Sequence, residues 1–191
     1  MRNLLLLLIS FLIASCSSTP TGQLDTSARY RLTIDYDLSI ERLKAEGRYD
    51  WSNVEITSQH FPSKETGERQ VEVAIVPIGR YDTIDRVVAS LGTEGIRPAT
   101  LTELLAVGAQ FPDLQREWSI IAFGSVWQTY VSRPDDVERS SATMRSYYAF
   151  LDTDGEKRTL DLWTPRNASR GLGPDDFRAF HGCFIHEAPD E

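Results

Sequence analysis

Three residues near the carboxyl end are of types that bind soft metals or act as nucleophiles: His181, Cys183 and His186. On a β-strand, His181 and Cys183 would share one face while His186 points to the other, so three ligands cannot converge without a bend. Cys183 also stands in an apolar stretch, where a free thiol is usually buried and inert. We therefore predict a structural thiol, with a metal or Cys–His nucleophile site as the alternative.

Two acidic segments, residues 152–156 and residues 135–138, contain the residue types of a calcium site. An EF-hand loop aligned on Gly155 would need an acidic residue where Phe150 stands. Strand-like patterns flank this segment on both sides, which favours a plain hairpin turn. The second segment, residues 135–138, is interpreted as a solvated loop, with a low-affinity cation site as the alternative.

The second half of the chain is rich in tryptophan and tyrosine. Most of these rings are expected in the core, because aromatic side chains bury large areas. A minority could instead line a groove for a sugar or a peptide. The residues predicted to bind a ligand in this way are Trp127, Tyr130 and Trp163.

Ser125 follows Gly124 at the end of an apolar run, as a nucleophile would in a strand–turn–helix elbow. The second glycine of that motif is absent, and the residues that follow do not have a helical pattern. A turn after a strand is the simpler interpretation of Ser125.

The amino-terminal residues have the pattern of an export signal. Arg2 precedes an apolar run of about ten residues, which is too short to span a bilayer as a helix. Small residues then lead to Cys16, and this ending resembles the bacterial lipobox. The resemblance implies cleavage before Cys16 and acylation of that cysteine. An ordinary signal peptide or an uncleaved anchor is the alternative.

The rest of the chain has the composition of one domain on a tether. Residues 16–29 are small, polar and proline-containing, which is typical of a flexible linker. Residues 30–191 have the length of a single domain, and 41% of the whole chain is apolar, enough for a core. The predicted organisation is a signal peptide over 1–15, a tether over 16–29 and a single α+β domain over 30–191.

The charge balance excludes nucleic acid as a partner and limits how the chain can attach to a membrane. The chain has 20 basic and 28 acidic residues, a net charge of −8, which repels nucleic acid and anionic lipid headgroups. We therefore predict no nucleic-acid partner, and membrane attachment only through lipid on Cys16. The predicted location is extracytoplasmic, lipid-anchored to the cell membrane or the outer membrane. Ser17, in place of an aspartate, favours the outer membrane.

Hydrophobic periodicity predicts two consecutive helices followed mainly by strands. The first helix spans 83–91 with apolar residues at i, i+3, i+4 and i+7. The second runs from Leu101 to about Gln110 behind a capping box of Thr100 and Glu103. Strands are predicted at 30–36, 71–75, 120–123, 127–131, 145–151, 157–163 and 178–186. This order is typical of an α+β fold and not of βαβ alternation.

Several motifs resemble a recurrent family of bacterial hypothetical proteins. They are the stretches 49–53, 97–106 and 111–116. That family has no assigned activity, so the resemblance implies no catalytic residue. The order of two helices and then tryptophan-containing strands is also similar to C-type-lectin-like folds. This similarity implies that both helices pack on one side of a mainly antiparallel sheet.

These observations predict a lipid-anchored, non-catalytic envelope protein that acts as a ligand- or envelope-binding module. Its expected partners are the membrane, through the N-terminal lipid, and a glycan or an envelope protein; no cofactor is predicted. The alternative is an envelope hydrolase or cofactor-dependent enzyme with a site assembled from distant residues. Those residues are His60, Glu103, His181 and Cys183. The two hypotheses differ in whether the four side chains meet in a cleft.

Overall fold

The computed structural model describes residues 29–79, 83–92, 95–131, 143–165 and 180–186. Within these ranges the chain is α+β, with a mostly antiparallel sheet as predicted. The helices are α1 (Ile40–Gly47), α2 (Ile84–Gly92), α3 (Leu101–Gln110) and α4 (Leu114–Glu117). The strands are β1 (Arg29–Asp35), β2 (Trp51–Ser52), β3 (Glu68–Pro77), β4 (Ile96–Pro98), β5 (Ser119–Ala122), β6 (Trp127–Val131), β7 (Thr143–Asp154), β8 (Lys157–Trp163) and β9 (Phe180–His186). The predicted signal peptide, Cys16, nearly all of the tether and the acidic segment 135–138 lie outside the described residues.

The sheet has the strand order β1-β3-β9-β5-β7-β8-β2, with β4 paired to the end of β9 and β6 to the start of β7. Pairing is antiparallel except between β5 and β9 and between β2 and β8. The carboxyl-terminal strand β9 therefore lies in the middle of the sheet, between β3 and β5.

Both faces of the central strands are buried. In β3, Val73 and Ile75 belong to one hydrophobic core, and the alternate residues Ala74 and Val76 belong to a second. Successive side chains of a strand point to opposite faces, so the two cores lie on the two sides of the sheet.

The two long helices pack against different cores, so the expectation that they share one face is wrong. Leu104 and Leu105 of α3 lie in the core that contains Val73, whereas Val87 and Leu91 of α2 lie in the other. The short strand β4 joins the two helices and pairs with the end of β9, so the chain passes between the faces there. Amphipathic periodicity identifies the buried stripe of a helix but not the sheet face that covers it.

The apolar patterns of the predicted helices and strands place nine residues in the core: Ile84, Val88, Leu101, Leu105, Ile121, Phe123, Leu160, Leu162 and Phe184. Most of them are buried. The buried ones are Leu101, Leu105, Ile121, Phe123, Leu160 and Phe184. Ile84, Val88 and Leu162 are half-buried, and in α2 the fully enclosed residues are Val87 and Leu91. The apolar stripe of α2 is thus rotated slightly from its predicted centre.

The helix starts follow the local sequence signals. Thr100 Oγ1 accepts a hydrogen bond from the Glu103 amide at 3.4 Å, and Glu103 Oε2 accepts one from the Thr100 amide at 2.6 Å. This is the predicted capping box of α3. Ser39 caps α1 by accepting from the Arg42 amide at 3.2 Å.

A buried arginine ties the two helices of one face to β8. Arg158 is 8% exposed, and its guanidinium donates to Gly47 O at 2.7 Å, Gly108 O at 2.5 Å and Gln115 Oε1 at 3.1 Å. Gly47 ends α1 and Gly108 lies in the last turn of α3. The cation therefore lies at the negative ends of two helix dipoles, where positive charge is favoured.

Candidate functional site

Two of the four residues of the enzyme hypothesis, Cys183 and Glu103, are close enough to interact electrostatically, but both are fully buried. Cys183 is completely buried in β9, between its pairing partners Ile75 and Ala122. Burial raises the pKa of its thiol well above the usual range, so the thiolate is strongly disfavoured. A thiol in this environment is a core side chain and not a nucleophile.

The two histidines each stack on a tryptophan. His60 lies on Trp127 with ring centroids 4.2 Å apart and planes 8° apart, and its Nδ1 is 2.8 Å from Glu55 O. His181 stacks on Trp118 at 5.1 Å, and burial lowers the pKa of its imidazole. The described residues offer no hydrogen-bond partner to His181 Nδ1. Neither ring is held against a nucleophile.

Glu103 is fully buried and all its interactions are structural. Its carboxylate accepts from Arg97 at 2.7 and 3.0 Å, from Tyr36 Oη at 2.7 Å and from the Thr100 amide at 2.6 Å. Burial alone would raise the pKa of Glu103, but these hydrogen bonds, with Arg97 first among them, lower it below the usual value. At neutral pH it is thus the ionised member of an ion pair with Arg97. Within the described ranges, no hydrogen bond or ring contact joins any two of these four side chains.

The burial of Cys183 predicts that its thiol reacts slowly in the native protein. In the native protein we expect a thiol reagent to modify Cys183 at least ~10³-fold more slowly than in denaturant, since access requires opening of the central strands. Labelling measured by mass at increasing urea concentration should follow the unfolding transition. Rapid labelling of the native protein would contradict the assignment of this thiol to the core.

The acidic turn at residues 152–157 is a hairpin connection between β7 and β8, as predicted. Asp154 pairs with Lys157, and Gly155 has a φ of +63°, which favours glycine at this position. Across the described ranges, no group of three or more His, Cys, Asp or Glu side chains is placed to hold a metal ion.

The three aromatic residues predicted to bind a ligand do not form one surface. Trp127 packs against the core of α3, while Trp163 packs against the core of α2 and contacts Phe180 at 5.8 Å. Tyr130 is 70% exposed on β6 and pairs with Met144 of β7. Of the three, only Trp127, through its neighbour Val126, adjoins the concave surface described next.

A cleft with a volume of about 290 Å³ lies at the amino end of α3. Three segments form its walls: Phe61–Glu65, Thr100–Thr102 and Gly124–Val126, with Tyr36 beside them. In chain order His60 precedes the first wall and Trp127 follows the third, so the stacked His60–Trp127 pair connects these two walls. We call this concavity the α3 cleft.

Backbone contacts fix the third wall to the start of α3. The Gly124 amide donates to Ala99 O at 2.8 Å, and Ser125 Oγ accepts from the Leu101 amide at 3.0 Å. A Cβ atom at Gly124 would lie 2.6 Å from Ala99 O and Pro98 O, so only glycine allows this close approach. Ser125 is therefore a turn residue that supports the helix start, as its sequence context suggested, and its hydroxyl proton remains available to the cleft.

The first wall is held by charged side chains. Glu65 Oε2 lies 3.4 Å from Arg69, and Glu65 Oε1 lies 3.8 Å from Arg97, which also binds Glu103. Tyr36 donates to Glu103 and its ring lies under the Arg69 guanidinium at 5.6 Å. This network connects the first wall to Arg97 and Glu103 beside the start of α3. Sequence reasoning found Thr100 and Glu103 as a cap, but it missed the cleft residues Lys64 and Thr102, which carry no local pattern.

The described ranges contain no helix with the length and apolar character that crossing a bilayer requires. Comparisons of the chain with protein-family models, with curated proteins and with solved structures found no match. The resemblance to a family of bacterial hypothetical proteins therefore stays a prediction.

Proposed function

We propose that this chain is a lipid-anchored, non-catalytic protein of the bacterial cell envelope that binds a ligand in the α3 cleft. The observation that carries the binding role is the cleft itself, whose walls are fixed by the Gly124–Ala99, Ser125–Leu101 and Glu65–Arg97 contacts. A rigid concave site reduces the ordering cost of binding. The lipid anchor is supported by the sequence around Cys16 alone.

The absence of catalysis is proposed from the environments of the candidate groups. Cys183 and Glu103 are buried in structural contacts, and His60 and His181 each stack on a different tryptophan. The proposal does not depend on a C-type-lectin-like fold, because the two helices that this similarity placed together lie on opposite faces of the sheet. A glycan or an envelope protein remains the predicted ligand type.

The anchor has a direct test in cells. We expect the wild-type protein to incorporate an alkyne-palmitate probe and to fractionate with membranes. The Cys16→Ser variant should lose at least about nine-tenths of the label, because stable anchoring requires acyl chains. The matched control is Cys183→Ser, which should keep both properties. A Cys16→Ser protein that still incorporates palmitate would contradict the proposed anchor.

The cleft has its own test by site-specific photo-crosslinking in living cells. A photoreactive phenylalanine analogue would replace Val126, which is 45% exposed at the rim of the cleft, or Val54, which is 79% exposed and outside it. We expect a discrete adduct from position 126 and none from position 54. Equal crosslinking at both positions, or none at either, would contradict a binding role for the cleft.

A further inference from the structure

We propose that the α3 cleft binds a ligand through a carboxylate group attached to an apolar body. This inference rests on the proposed binding function and specifies the chemical class of the ligand. Its starting point is the amino end of α3, a helix of ten residues whose first turn lines the cleft. Helix amino ends have unpaired N–H groups and a partial positive charge, so they attract anions.

Most N–H groups at this helix start already have acceptors, and the exception belongs to Thr102, a residue that lines the cleft. The Thr100 amide donates to Glu103, the Glu103 amide to Thr100, and the Leu101 amide to Ser125. The amide of Thr102 has no backbone acceptor among the described residues. One strong donor is therefore left at the position where the helix dipole is most positive.

The side chain of Thr102 is an independent observation that points to a ligand. Thr102 lines the cleft although only 3% of its surface is exposed. Its hydroxyl has no hydrogen-bond partner among the described residues, and it is not one of their fully buried unpaired atoms, so the oxygen is open to the cleft. A threonine hydroxyl can donate one hydrogen bond and accept two. A ligand oxygen in the cleft could take the place of water at this hydroxyl.

The charges of the cleft favour an anion over a cation. Lys64 lines the cleft, is exposed, and has no ion-pair partner within the described part of the chain. The negative charge of Glu65 is balanced by Arg69 and Arg97. The local excess is therefore positive, although the whole chain has a net charge of −8.

The charge of the cleft and its apolar walls restrict the anion further. The single uncompensated charge of Lys64 matches the single charge of a carboxylate better than the charge of nearly −2 on a phosphate. Pro62 and Val126 are exposed at the rim, and Phe61 and Leu101 lie beneath them. These walls suit an apolar group next to the carboxylate.

The test is calorimetric titration of the full-length acylated protein in a neutral detergent, with protein-free micelles as the reference. The probes are N-acetyl-leucine, its neutral amide N-acetyl-leucinamide, acetate and inorganic phosphate. We expect saturable binding of N-acetyl-leucine and at least tenfold weaker binding of the other three. An amide that binds as tightly as the acid, phosphate that binds more tightly, or no saturable binding of N-acetyl-leucine would overturn the inference.

Substitutions of cleft residues test whether N-acetyl-leucine binds in the α3 cleft. Lys64→Met and Thr102→Val should each weaken binding of N-acetyl-leucine at least fivefold, whereas Thr102→Ser, which keeps the hydroxyl, should weaken it less than twofold. Lys157→Met removes an exposed lysine on the hairpin and should leave binding unchanged. If Thr102→Val does not fold, exposed Lys64 still decides the question, and unchanged binding in Lys64→Met would overturn the inference. Crosslinking at Val126 without binding of N-acetyl-leucine would reject the carboxylate and leave the proposed function in place.

Discussion

Replacing Arg158 with methionine should lower the free energy of unfolding by about 4 kcal/mol. The substitution keeps much of the side-chain volume but removes the donors to Gly47 O, Gly108 O and Gln115 Oε1. These acceptors are buried, so in the variant each would lack the hydrogen bond that offsets the cost of removing it from water. Urea titration followed by circular dichroism should show this loss, and the Tm should fall by roughly 10 °C.

Two further variants separate the geometry of Arg158 from its charge. Arg158→Lys keeps a cation near the two helix ends but cannot donate in three directions at once, so its stability should lie between the wild type and Arg158→Met. Arg42→Met removes an exposed guanidinium that pairs with Glu46 at 3.2 Å, and it should change the free energy of unfolding by less than about 0.5 kcal/mol. If Arg158→Met were as mild as Arg42→Met, the role assigned to Arg158 would be wrong.

Replacing Glu103 with glutamine should cost about 3 kcal/mol, because it leaves Arg97 without its buried counter-ion and weakens the cap of α3. The same urea titration measures this change. The control is Glu72→Gln, since Glu72 pairs with Arg29 and Arg31 on the exposed face of the β1–β3 pair. That variant should have the same unfolding midpoint as the wild type.

The pH dependence of the free energy of unfolding provides a second test with Glu103→Gln. The pKa of Glu103 in the folded protein is lowered, so its ionised form stabilises the fold above the unfolded-state pKa of about 4.3. That stabilisation is lost as the pH falls through the folded-state pKa. The stability difference between wild type and Glu103→Gln should therefore be constant from pH 5 to 7 and shrink below about pH 4.3. A difference that stays constant to pH 2.5 would contradict the ion pair.

Local signals in the sequence were sufficient for the features that depend on neighbouring residues. The Thr100–Glu103 capping box and the hairpin turn at Gly155 each involve residues within three or four positions of one another. Such contacts form in the same way in almost any fold, so residue type and spacing predict them.

Features that depend on contacts between distant segments were not predictable in the same way. The helical stripes of α2 and α3 did not reveal that the helices lie on opposite faces, because β4 joins them along the end of β9. The alternating pattern of its strand predicts that Arg158 is exposed. Instead, its guanidinium donates hydrogen bonds to carbonyl groups that lie 50 and 111 positions away along the chain. The α3 cleft joins three segments, and Thr102 and Lys64 have no sequence pattern that would mark them.

The proposed lipid anchor depends most on the identity of the mature amino terminus, and mass spectrometry of the protein purified from membranes measures it directly. We expect an amino-terminal peptide that begins at Cys16 and carries acyl groups on that residue. A mature peptide that begins elsewhere, or one that begins at an unmodified Cys16, would contradict the assignment of this chain as a lipid-anchored envelope protein.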